Sequence, residues 1–186
     1  GSYLKVIAAK PLLWINEAGE RFCAEDLYFP FAGNVLSKQQ NGIMWVIFDE
    51  DTKDNMLKTG LRFRLGAFAS ADAKRFSDEI ERGIKEGKAA MANSLEELAG
   101  KIGVNDRVFQ ATIHEYNRCC LQHCDHIFAK DPNWLQPVKK SRFYAIKSCF
   151  HLTATLGGIK INHKTEAITV NHGVIPGLYA AGSCAG

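Results

Sequence analysis

A chain of 186 residues, 46% hydrophobic and 23% charged, has the composition of a globular protein able to bury a core. Its formal net charge of +3 is too small to argue for nucleic acid or a membrane surface as partner. No uncharged apolar run approaches the ~20 residues that cross a bilayer.

Gly1 and Ser2 read as the remnant of a cleaved expression tag, so the native segment starts at Tyr3 and any leader upstream is invisible. Leu12 to Asn16 is a short apolar run, followed by a turn at Glu17 to Glu20 in which Gly19 supplies an unusual backbone angle. Arg21 and Phe22 then form a second strand or a loop. Phe29 to Asn34 is expected to be a loop, because Pro30 and Gly33 interrupt regular structure. Ile43 to Phe48 is rich in β-formers and predicts a buried strand. Asp49 and Asp51 suit the first turn of a short helix that stops before Gly60.

The middle is helical. Phe76, Ile80 and Ile84 recur every four residues, and Gly87 ends that helix. Ser94 and Glu97 have the capping-box spacing, with Leu95, Leu98 and Ile102 as the apolar face and Gly103 as the stop. Asn105 caps a longer helix carrying Phe109, Ile113, Tyr116 and Cys120 on one side. Asp131-Pro132-Asn133 breaks it, and Lys130 with Asp131 is expected to be a solvated loop. From Phe143 the texture turns to short β runs, at 143–147, 159–162, 167–170 and 178–181, punctuated by Gly157-Gly158, Gly173 and Pro176-Gly177. Strands, then helices, then strands predict an α+β fold, helical with a mixed sheet, rather than regular βαβ alternation.

The six cysteines show neither a CxxC pair nor a small disulfide-rich layout, and reduced thiols of a cytoplasmic protein are the expectation. His114, Cys119, Cys120, His123, Cys124 and His126 could be grouped as a metal site. They lie along one predicted helix and point in several directions, which a tetrahedral zinc site does not allow, so no metal ligands are assigned.

Three stretches in order carry a family resemblance. WINEAGERFCAE, from Trp14 to Glu25, resembles the V-N-x-x-G-x-R-F-x-N-E stretch of the fumarate reductase and succinate dehydrogenase flavoproteins. SLEELA from Ser94, Tyr116-Asn117, and DHIFAK from Asp125 to Lys130 are similar to the T-L-E-E-L-A, Y-N and D-x-x-F-G-K course of that family's inserted capping domain. TLGGI from Thr155, with IPGLYAAG from Ile175, resembles the return to the flavin-binding domain. A hairpin, a capped helix and a Gly-rich turn explain each stretch locally but not their joint order.

The resemblance implies a capping, or substrate, domain over residues 3–150 and the start of the returning FAD-binding segment over 151–186. The whole protein would then be an FAD-dependent oxidoreductase acting on a C–C double bond next to a carbonyl or carboxylate. Its partners would be a small enoate or enone and the remaining FAD-binding half of the same protein. The chain has no GxGxxG turn to hold a pyrophosphate at a helix N-terminus, so by itself it is expected to bind FAD weakly or not at all. Thr155, Gly157, Gly158, Ala181, Gly182 and Ser183 are the candidate flavin-lining residues, since small side chains let backbone approach a flat ring. Ser183 stands where the family usually has an acid.

The family's catalytic arginine, four positions beyond the motif glutamate, falls on Phe29. Its substrate-binding histidine, three before the Gly-Gly pair, falls on Ala154. Fumarate is a small dianion needing fixed positive charge, so two apolar replacements imply a more apolar substrate. They also fit a non-catalytic binding module that keeps the fold. His151 is a candidate proton donor or a structural histidine. Arg21 is either a catalytic anion holder or the partner of Glu25 in the hairpin.

Overall fold

The computed structural model describes residues 3–27, 29–62, 68–69, 72–149 and 157–186. In chain order the elements are α1 (Tyr3–Ala8), β1 (Leu13–Ile15), α2 (Phe29–Leu36), β2 (Ile43–Asp49), α3 (Glu50–Thr59), β3 (Leu61–Arg62), β4 (Phe68–Ala69), α4 (Ala73–Lys85), β5 (Ala89–Ala92), α5 (Leu95–Ile102), α6 (Asp106–Gln122), β6 (Phe143–Cys149), β7 (Glu166–Ile168) and β8 (Val174–Tyr179). Two compact units, 1–150 and 151–186, divide them. The mixture is α+β, as the order of patterns predicts.

The first unit is organised by an antiparallel sheet of order β1-β2-β6-β5. Trp14 lies opposite Val46, Ile47 opposite Ala145, and Ala145 opposite Ala90. Because successive side chains of a strand point to opposite faces, a run that is apolar throughout must be covered on both. Trp45 and Ile47 join Leu13, Ile15, Phe143 and Ala145 against Leu98 and Ile102 of α5 and Phe109, Ile113 and Tyr116 of α6. Met44, Val46 and Phe48 join Trp14, Tyr144 and Ile146 against Phe76 and Ile80 of α4 and Met56 of α3. The result is a helix–sheet–helix sandwich with a separate core on each side.

Caps follow the sequence closely. The Ser94 hydroxyl accepts from Glu97 N at 3.1 Å, while Glu97 reaches back to Asn93 N. Asn105 Oδ1 accepts from Val108 N at 3.1 Å. Asp49 caps α3 through Thr52 N, and its other oxygen accepts from Lys139 N and Lys140 N, both at 2.9 Å. One buried carboxylate thus starts a helix and pins the approach to β6.

Several expectations fail for identifiable reasons. Phe29–Leu36 is a helix, not a loop: Pro30 falls in the first turn, where a missing N–H costs nothing. Ile84 is exposed, since the buried stripe of α4 runs through Phe76, Glu79, Ile80 and Gly83 and leaves Ile84 at its edge. Pro176 and Gly177 lie inside β8 rather than ending it, which a two-stranded ribbon permits because an edge N–H is dispensable. β5 was not foreseen, as Ala89 to Ala92 lack branched or aromatic residues.

The second unit contains the β7–β8 ribbon, turns and short bridges. Among the described residues, no helix is long and apolar enough to cross a membrane.

Candidate active site

In the first unit, the segment after β1 runs along α6 and the loop that follows it. Asn16 Oδ1 accepts from Ala18 N and Glu20 N, closing the turn in which Gly19 has φ +86°. Gly19 O accepts from Thr112 Oγ1 at 2.8 Å, which brings Arg21 onto the helix. Arg21 donates from Nε to Glu25 Oε1 at 2.7 Å and from Nη2 to Glu25 Oε2 at 2.8 Å. Nη2 also reaches Asp125 Oδ2 at 2.6 Å, and the guanidinium lies between the rings of Tyr116 and Phe128.

Lys130 corrects the reading of its loop as solvated. Its side chain is 0% exposed, with Nζ 3.1 Å from Glu25 Oε2 and 3.0 Å from the Tyr116 hydroxyl. A buried ammonium requires such partners, and here they come from the segment after β1, from α6 and from Leu12 O just ahead of β1. Asp125 shapes the same loop by accepting from the amides of Ile127, Phe128 and Lys130. Burial works against the Asp125 charge, but the bond from Arg21 and those amides prevail and hold its pKa down to about 2. For Arg21 burial is likewise opposed, and outweighed, by Glu25 and Asp125, so its pKa is raised. Burial lowers that of Lys130 despite the opposing pull of Glu25. Arg21 therefore has its charge engaged by two carboxylates and is 5% exposed, an arrangement that favours pairing over anion holding.

Of the cysteine and histidine group, Cys119 and Cys120 face the core, while Cys124 is exposed with Sγ 3.6 Å from His126 Nδ1. Among the described residues no three His, Cys, Asp or Glu side chains converge. Burial pushes the Cys23 thiol up to about 12 and Cys120 up to about 11, which leaves both unreactive.

In the second unit the two glycine-rich stretches are brought side by side. Ile159 pairs in parallel with Ala185; Ile159 N donates to Cys184 O at 2.9 Å, and Gly186 N to Ile159 O at 3.2 Å. A Cβ on Gly158 would stand 2.3 Å from Cys184 O, and one on Gly186 2.4 Å from Gly158 N. Gly157 (φ +110°) and Gly182 (φ +69°) instead have nothing within 4 Å of where a Cβ would point. Gly182 opens a turn through Cys184, next to Ala181 and Ser183. Bare backbone beside open space is what a flat ring needs; no α-helix occurs among the described residues of this unit to seat a pyrophosphate. His151, Ala154 and Thr155 lie outside the described residues, as does the side chain of Phe29, whose backbone begins α2.

The fold is that of flavoprotein reductases and dehydrogenases: the chain superposes on the open conformation of a flavocytochrome c3 fumarate reductase with a TM-score of 0.70 at 23% identity, covering 98% of this chain and 28% of that one. The family model described as FAD binding domain matches residues 7–186, and the chain belongs to that family. Vinyl phenol reductase of Lactiplantibacillus plantarum is 32% identical over 180 residues, 94% of this chain and 36% of that protein. NADH:acrylate oxidoreductase of Vibrio harveyi is 34% identical over 185 residues, 97% of this chain and 16% of that protein. The chain thus spans about a third or less of the curated relatives it matches.

Sequence reasoning missed Asp125 and Lys130 as interior residues. The available signal was the recurrence of two opposite charges in each of two motifs, at Arg21 and Glu25 and at Asp125 and Lys130.

Proposed function

We propose that residues 3–150 form the capping domain, and 151–186 part of the flavin domain, of an FAD-dependent oxidoreductase that reduces or dehydrogenates a C–C double bond next to a carbonyl or carboxylate. The observation that carries this reading is the seam in which Gly158 meets Cys184 to Gly186, because it joins the two stretches expected to line the flavin. Gly157, Gly158, Ala181, Gly182, Ser183 and Thr155 would hold the ring through backbone and small side chains. FAD, when bound, supplies or accepts the hydride. His151 is the candidate to move the accompanying proton, its imidazole being suited to neutral pH.

Phe29 and Ala154, where the family resemblance places arginine and histidine, favour a substrate more apolar than fumarate. Two of the relatives, named for a vinyl phenol and an acrylate, support the same direction, while others are named for fumarate. A cytoplasmic location goes with this reading.

The test is the full-length protein loaded with FAD and offered enoates and enones, with flavin reduction and reoxidation followed optically. Turnover of either class is expected, with His151→Asn slowing it. Tight binding without turnover of any member would favour the non-catalytic module that Phe29 and Ala154 also fit.

A further inference from the structure

The charges of the first and second motifs serve one another. We infer that Arg21, Glu25, Asp125 and Lys130 form a charge-balanced latch that fixes a single register of the 19–26 segment on α6 and its following loop. The four side chains are 0–5% exposed and carry two formal charges of each sign. Each is engaged by at least two others or by backbone: Glu25 takes Arg21, Lys130 and Trp14 N, while Asp125 takes Arg21 and three amides. Lys130 adds Leu12 O and the Tyr116 hydroxyl.

Cys23 and Phe22 pack into the core on the α4 side, whereas toward α6 the charges set the register. The segment meets α6 through Gly19, which offers no side chain, and reaches the next loop through Asp26, whose carboxylate accepts from Asp131 N at 3.0 Å. Sliding the segment by one residue would carry the Arg21–Glu25 pair along but break Arg21–Asp125 and Glu25–Lys130, leaving Asp125 and Lys130 buried without these partners. The latch acts through the sum of its charges, so its members are coupled rather than independent.

The experiment is a thermal unfolding cycle on this chain with Glu25→Gln, Lys130→Met and the double variant. Each single variant leaves one net charge buried, whereas the double restores balance with Arg21 and Asp125. Each single change is expected to lower Tm by on the order of 10 °C. The double variant is expected to recover at least half of the larger loss. Hydrogen exchange at the amides of Ile127, Phe128 and Lys130 should speed up in the single variants and return toward the parent rate in the double. Additive or worse losses in the double variant overturn the latch; if Lys130→Met does not fold, a double variant that also fails to fold overturns it equally. This readout is independent of any flavin chemistry.

Discussion

In residues 1–150, β2 is buried on both faces and the charged groups drawn into the interior find partners there. In residues 151–186 every residue of β8 is exposed, and among the described residues only Ala167 and Ala180 are buried. Val170, Val174, Leu178 and Tyr179 are exposed in this chain, while the turns are tied by backbone and Asn162. The first unit owes its form to desolvation, the second to hydrogen bonds that water can replace. Stability measured on the chain is therefore stability of the first unit.

The largest expected effect comes from cutting the chain after Phe150. The longer piece should melt cooperatively, whereas a peptide of 151–186 should show a coil-like circular dichroism spectrum, since chains below ~40 residues seldom fold without disulfides, metal or association. A cooperative melt from the peptide would break the contrast. Next in size is Ile47→Ala, at a position 0% exposed in the sandwich. Urea unfolding should report a loss of about 2–5 kcal/mol. A loss below ~1 kcal/mol would mean the two cores re-form around the cavity.

Acid should act through the first unit as well. Asp125 titrates at about 2 in the folded chain against an ordinary value of 3.8, so the unfolded chain binds this proton more tightly. Its contribution is complete above about pH 4 and is lost as pH falls toward about 2. An Asp125→Asn variant should be less stable near neutrality and show a shallower acid limb in melts recorded from pH 5 to 2. The smallest effect is expected at Leu178→Ala, 42% exposed on β8. Urea unfolding should move by no more than ~0.5 kcal/mol. A larger shift would show that β8 is covered in solution.

Local rules made the helices and caps readable, because the Ser94–Glu97 and Asn105–Val108 bonds are made within three residues. The Arg21–Glu25 pair was legible for the same reason, one carboxylate standing four positions from its cation. Lys130 was not, since its partner Glu25 lies far along the chain and a charged residue next to Asp-Pro-Asn reads locally as solvated. Phe29–Leu36 defeated the reading because proline and glycine interrupt helices only in certain turns. For the candidate site, composition marked the glycines of both stretches. Their juxtaposition rests on a bridge between Ile159 and Ala185 that no nearby pattern announces.

That bridge bears on how tolerance to substitution should be read. Gly158 has no room for any side chain because Cys184 O occupies the space, whatever is or is not bound nearby. A saturation screen scored by hydrogen exchange at the Ile159 and Gly186 amides, which make the bridge, should show lost protection for nearly every replacement at this position. Gly182, with its Cβ direction open, should accept Asn or Asp in the same screen and fail only where flavin binding is scored. Two glycines that look alike in a sequence would then separate into one demanded by the chain's own packing and one by what it holds.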